Sequence, residues 1–183
     1  MESIKYEIIE KAGEIIMTSG LESLTIDNLS NRLDIDKNKH YNQFAKDDEI
    51  VLAILNGFEF ELNEIVQQNA KKGESPGTEL KLLFKMLYFL FLQKPFYLFI
   101  IFDKNLLERD NNIKKSFLRI KIIAETYLSS LINKGKNENT FKTKVPTKSL
   151  VERILLNFRM FMKDEKLLNE MIVELKQLRT LED

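Results

Sequence analysis

The chain carries one histidine, His40, and no cysteine. Thiolate chemistry and a disulfide framework are thereby excluded, and any imidazole site would have to be built around one residue. Asp36, four residues earlier, is the sole carboxylate placed on the same helical face. One imidazole and one carboxylate do not hold a metal ion, so His40 reads as a surface side chain. The densest carboxylate run, Asp47-Asp48-Glu49, opens a helical segment, where the helix dipole favours acids. No nucleophile–base pair, Gly-rich phosphate loop or metal cluster can be assembled from these residues. No catalytic residue, metal or cofactor is therefore predicted, and the chain does not read as an enzyme. What remains is hydrogen bonding and charge. Lys37-Asn38-Lys39-His40-Tyr41 puts two ammonium groups, an amide, an imidazole and a phenol on five consecutive residues.

Such a segment needs a rigid support, and the flanking sequence supplies one. Ile4, Ile8, Ala12 and Ile15/Ile16 recur at helical spacing, predicting a helix over about Ser3–Thr18. Gly20 is free to end it with a left-handed residue. Thr25 is placed to cap a short helix, Ile26–Leu33. The link Asp34-Ile35-Asp36 turns the chain, and Asp36 can cap a third short helix, Lys37 to about Gln43. Two short helices joined by a tight turn behind a longer one make a helix-turn-helix arrangement. Further helices are predicted at Asp47–Lys71, Thr78–Gln93, Pro95–Leu107, Asn111–Asn133, Lys148–Lys163 and Glu165–Leu181. Gly73–Gly77 is the clearest loop. Lys134–Thr147, polar, basic and interrupted by Pro146, reads as a mobile loop. The predicted class is all-α with about nine helices, divided into a three-helix head (1–48) and a larger helical bundle (49–183).

Composition agrees. Among 183 residues, 44% are hydrophobic and 31% charged, with three Pro and six Gly, as in an ordinary helix-rich globular chain. The apolar stretch Leu80–Phe102 is broken by Lys81, Lys85 and Gln93-Lys94-Pro95, short of the ~20 apolar residues a membrane helix needs. The opening residues lack a signal-peptide layout. A cytoplasmic protein with no membrane partner is expected, and abundant Lys, Asn and Ile point to an AT-rich bacterial genome. Net charge is zero, but residues 1–50 carry six Lys/Arg against eleven Asp/Glu.

Residues Ile4–Val51 resemble the DNA-binding domain of the tetracycline-repressor (TetR) family of transcriptional regulators. The resemblance rests on Ile8, Ala12 and Ile16, then Gly20, Leu24-Thr25-Ile26-Asp27-Asn28-Leu29-Ser30, Leu33-Asp34-Ile35-Asp36 and Tyr41-Asn42-Gln43-Phe44. It implies that Thr25, Lys37, Asn38, Lys39, His40, Tyr41 and Lys46 contact double-stranded DNA. The sequence departs from the family pattern three residues after Phe44. Asp47 stands where a lysine is usual, with Lys46 one residue earlier.

For the remainder the pattern must speak. Aromatic residues crowd Leu80–Phe102, and they either fill a helical core or line an apolar pocket. The resemblance implies a pocket for a small apolar or amphipathic ligand, with Phe84, Tyr88, Phe91, Phe96, Tyr97, Phe99 and Tyr127 as candidates; Lys85, Asp103 and Arg119 are placed to contribute a charge. Narrow apolar stripes run along the last two helices, through Ile154, Phe158 and Phe161 and through Leu168, Met171, Leu175 and Leu178. They pack within their own chain or, as the resemblance implies, against a second copy in a homodimer. The resulting expectation is a ligand-responsive repressor that binds a pseudo-palindromic operator. The alternative is a helical ligand-binding or protein-interaction module without operator binding, which the acidic head favours.

Overall fold

The computed structural model describes residues 2–33 and 44–178, with side chains from Glu7 onward. Among these residues the chain forms ten α-helices and no strand, as the all-α reading requires. In chain order they are α1 (Glu2–Ser19), α2 (Ile26–Leu33), α3 (Asp47–Lys71), α4 (Pro76–Gln93), α5 (Phe96–Ile101), α6 (Leu106–Arg109), α7 (Asn111–Asn137), α8 (Thr147–Leu156), α9 (Phe158–Lys163) and α10 (Glu165–Lys176). The third helix expected at Lys37–Gln43 lies outside the described residues.

Packing divides the chain into two units, Met1–Glu61 with Leu90–Ile120, and Leu62–Phe89 with Lys121–Asp183. In the first unit, α1 turns Ile8, Ile9, Ala12, Ile15 and Ile16 inward and lies against α2 and α5. Gly20 has φ 84° and leads into a 3-10 turn, Leu21–Ser23. Where α1 meets α5, the ring of Phe96 occupies the place a Cβ on Gly13 would fill. Any larger residue must displace a buried aromatic ring.

Several expected helices are divided, each for a local reason. Pro95–Leu107 separates into α5 and α6 because Asp103 Oδ1 accepts from Asn105 N–H at 2.8 Å; a short acid that binds nearby backbone competes with the helix. Asp110 Oδ1 then accepts from the Asn112 and Ile113 amides at 2.6 and 3.2 Å, capping α7. Lys148–Lys163 is interrupted at Asn157, which leaves the helical region at φ −97°, ψ 9° and whose Nδ2 donates to Arg153 O at 2.8 Å. Helix α4 begins earlier than expected, at Pro76, where a missing N–H costs nothing.

The segment expected to be a mobile loop, Lys134–Thr147, is built otherwise. Helix α7 continues to Asn137, and Asn139 turns the chain with φ 57°, a left-handed conformation that Asn tolerates. Phe141 then returns to the helix and is 2% exposed, its ring lying where a Gly135 Cβ would be. The Lys142 and Thr143 amides donate to Leu175 O at 2.9 and 3.2 Å. A polar-looking loop is thus pinned by one phenylalanine and two backbone bonds to α10. The last helix ends at Lys176 rather than Leu181, with Gln177 extended.

Gly13→Ala and Gly135→Ala are each expected to lower unfolding stability by about 1–3 kcal/mol, read from urea denaturation followed by circular dichroism. Wild-type midpoints would mean that these rings move aside freely.

Candidate functional site

In the head, Thr25 performs its expected local task. Its Oγ1 accepts from Asn28 N–H at 3.2 Å, as an N-cap does, while Asn28 Nδ2 donates to Ser23 O at 2.8 Å. Arg32 reaches from α2 to α1, donating to Thr18 Oγ1 at 3.2 Å. The next feature was not anticipated. Asp47 Oδ1 accepts from Ile26 N–H at 2.8 Å, so the first residue of α3 places a carboxylate on the first amide of α2. The amino end of a helix attracts anions through its free N–H groups and dipole, and here an internal anion already lies there. The departure from the family pattern at Asp47 is thus a specific contact. Lys46 is exposed. Lys37, Asn38, Lys39, His40 and Tyr41, the core of the expected DNA-reading surface, lie outside the described residues.

Helix α3 is fastened to the rest of the first unit by acids. Asp48 pairs with Arg109 Nε at 2.7 Å. Arg119 Nε bonds both carboxylate oxygens of Glu59 at 2.9 Å, and its Nη2 donates to Asn56 and Ser116 at 3.1 and 3.0 Å. Lys94 pairs with Glu61 and stands 3.8 Å from Glu10 of α1. The charges of Arg119 and Asp103, considered above as ligand contacts, are therefore engaged within the chain.

The seven residues proposed to line a pocket are not brought together. Phe91, Phe96 and Tyr97 belong to the core of the first unit. Phe58 stacks on Phe91 with ring centroids 5.7 Å apart and meets Tyr97 at 5.1 Å, and Phe96 and Tyr97 are 4.8 Å apart. These rings fill space in the manner of a packed interior. Phe99 is exposed.

Tyr127 belongs to a polar network inside the second unit. Its hydroxyl donates to Glu79 Oε1 at 2.8 Å and accepts from Asn69 Nδ2 at 2.9 Å. Glu79, only 4% exposed, also pairs with Lys134 at 3.2 Å. Asn69 Nδ2 further donates to Glu79 O at 2.7 Å. Burial first, then the hydrogen bond to Glu79, pushes the Tyr127 phenol pKa up, because a phenolate there would be desolvated beside a carboxylate.

Phe84 and Tyr88 do share a site. They line a groove of about 360 Å³ formed by α4, α9 and the start of α10, together with Phe89, Phe161, Leu168 and three lysines, Lys81, Lys85 and Lys163. Phe84 and Phe161 meet edge to face at 5.8 Å. Lys163 comes from a distant part of the chain, and of the three lysines only Lys85 is a candidate ligand contact by sequence.

Of the residues expected at a dimer contact, Ile154, Phe161, Leu168, Met171 and Leu175 are buried within the chain, Phe158 is half-buried and meets Phe84 at 5.6 Å, and Leu178 is exposed. The exposed apolar side chains on the same helices are Leu156, Met160 and Val173, at 86%, 51% and 52%.

Comparison with solved structures agrees in architecture over nearly the whole chain. A transcriptional regulator of the TetR/AcrR family from Thermobifida fusca superposes with TM-score 0.72 and 15% identity, covering 97% of this chain and all of that one. The TetR-family regulator PfmR from Thermus thermophilus gives TM-score 0.72 and 17% identity over 94% and 99% of the two chains. The chain has the TetR fold. The ketosteroid transcriptional regulator KstR2 of Mycobacterium tuberculosis shares this fold at TM-score 0.68 and 19% identity, covering 98% of this chain and 85% of that chain. No family model matches the chain, and no curated protein matches it by sequence. Among the described residues, no helix of this TetR-like chain is long and apolar enough to cross a membrane.

Tyr127→Phe should leave Glu79 Oε1 and Asn69 short of a partner and cost about 1–3 kcal/mol. Because the phenol pKa is raised on folding, its contribution is fully present below the unfolded value of about 10 and is lost as pH rises through the folded value. Wild-type stability should therefore fall more steeply than that of Tyr127→Phe above pH ~10. Parallel curves in chemical denaturation across that range would refute the role given to this hydroxyl.

Proposed function

We propose that the chain is a DNA-binding transcriptional regulator that acts as a homodimer on a pseudo-palindromic operator, and that it is a repressor relieved by a small amphipathic ligand. The observation that carries this reading is the likeness to TetR-fold regulators over more than nine-tenths of the chain, the capped helix α2 of the head included. In this reading Lys37, Asn38, Lys39, His40 and Tyr41 form the DNA-reading surface, with Thr25 and Lys46 beside it. Two heads related by a twofold axis would reach successive major grooves about 34 Å apart. A ligand that bound better to a different spacing of the heads would lower operator affinity by that difference in affinity.

The apolar stripes named in the sequence are largely occupied within the chain, so the dimer contact proposed here centres on the exposed Leu156, Met160 and Val173. Leu156 is the strongest single indication, an aliphatic side chain left 86% exposed. One observation favours the second reading, a TetR-fold module that does not bind an operator. It is the Asp47 carboxylate on the amino end of α2, which repels a phosphate approaching the same amide.

Fluorescence anisotropy with the upstream intergenic DNA at about 50 and 200 mM salt separates the two readings. The regulator reading expects preference over scrambled duplex, abolished by Lys39→Ala with Tyr41→Ala. It also expects Asp47→Lys to steepen the salt dependence by about one unit of slope. No preference at either salt by a folded protein would establish the second reading. For the dimer, Leu156→Glu with Val173→Glu is expected to give a monomer in light scattering, and an unchanged dimer would place the contact elsewhere.

A further inference from the structure

We propose that the groove between α4 and α9–α10 is a binding site for an amphipathic carboxylate, with its chain on the aromatic floor and its head among three lysines. The site lies entirely within one packing unit. Its floor is apolar and firm, since Phe84, Phe161 and Leu168 are 3%, 7% and 4% exposed. Its wall is apolar and open, for Tyr88 and Phe89 stand 42% and 50% exposed with their rings edge to face, centroids 6.1 Å apart. At about 360 Å³ the groove falls within the size range of small-molecule sites.

Charge decides what the groove would take. Lys81, Lys85 and Lys163 line it against one carboxylate, Glu165. Among the described residues, the side chains of Lys81, Lys85 and Lys163 make no ion pair and no hydrogen bond. Elsewhere in the same unit Lys134 and Arg153 each have a carboxylate partner, at 3.2 and 2.7 Å. Three ammonium groups against one carboxylate, bordering exposed rings, repel a cationic amphipath and give a neutral one weaker hydrogen bonds than an anion. A carboxylate gains charge-assisted hydrogen bonds there, while its chain gains about 0.8 kcal/mol per methylene removed from water. Lys81 and Lys85 are one helical turn apart on α4, so both can serve one head group. A bulk charge effect would not distinguish chain lengths, and a purely greasy surface would not distinguish head groups. This groove is expected to distinguish both.

The inference rests on the ligand-responsive reading only for its consequence at DNA; binding itself is measured on the protein alone. Isothermal titration of the full chain with dodecanoate, below its micelle concentration, is expected to show saturable binding. Butyrate should bind at least about a hundredfold more weakly, and dodecyltrimethylammonium and inorganic phosphate should not bind. Lys81→Glu with Lys85→Glu, both at exposed positions, should weaken dodecanoate at least about tenfold with unchanged circular dichroism and melting temperature. Equal affinity of the variant for dodecanoate, or equal affinity of the cationic and anionic amphipaths, overturns the proposal. So does a variant that turns monomeric while dodecanoate binds neither form, since the groove would then belong to a contact between copies. Binding to phosphatidylglycerol vesicles without binding to dodecanoate overturns it as well, in favour of a membrane surface. Loss of DNA binding with dodecanoate binding intact would sink the regulator reading and leave this one standing.

Discussion

The first unit is organised by the acids of α3. Over the first fifteen residues of that helix, four carboxylates take partners from four different places. Asp47 holds the amide that begins α2, Asp48 holds Arg109 at the end of α6, Glu59 holds Arg119 of α7, and Glu61 holds Lys94 in the turn before α5. Exposed ion pairs taken singly contribute little. These act as a set on one rigid rod and are partly buried, with the side chains of Lys94 and Glu59 only 11% and 20% exposed. Apolar packing supplies the cohesion, through Ile50, Ile54, Phe58 and Tyr97 among others. The charged pairs select the rotational setting of α3 within that packing, because a carboxylate has only a few partners within reach and apolar contact has no such direction.

This arrangement changes the meaning of the acidic head. An excess of carboxylates over residues 1–50 argues against phosphate binding when counted as free charge. Much of it is not free. Glu14 pairs with Lys11 at 2.8 Å, Glu49 accepts from Ala45 N–H at 2.6 Å, and Asp47 and Asp48 are bound as above. The relevant field is the local one at the contact surface, and net charge by sequence window misstates it. The exception is Asp47 itself, whose position bears directly on α2. The same bond joins the base of the head to the start of α3, so any rotation of that helix is felt at the amide of Ile26.

The second unit uses its polar groups differently. Glu79, Tyr127, Asn69 and Lys134 form a linked set around the buried Glu79 carboxylate, which joins α3, α4 and α7 at the cost of desolvating that carboxylate. Such a set admits one arrangement of its helices, because any other leaves a buried charge alone. The lysines of the groove are the opposite case, three cations beside exposed rings with one acid, Glu165, among them. One group of residues closes an interior, and the other leaves a surface ready to be completed.

The sequence by itself determined the helical class, the limits of α2 and α3, the cap at Thr25 and the helix-turn-helix resemblance of the head. These follow from local rules, namely apolar spacing at 3.6 residues, caps within three residues, and acids at a helix start. The pocket expected at Phe84 and Tyr88 came from the family resemblance and not from these local rules. The tertiary structure decided everything that joins distant parts of the chain. It set Asp47 on Ile26, buried Phe141 from an apparently mobile loop, packed Phe91 and Tyr97 into a core where a pocket was expected, and turned the stripe through Leu168 and Met171 inward. It also gathered Lys81 and Lys163 at one groove. An apolar stripe states that a face will be covered and leaves open by what, since the hydrophobic effect has no direction; a lysine far along the chain carries no mark of the partner it will meet. Those choices belong to the packing of whole helices, and no window of sequence contains them.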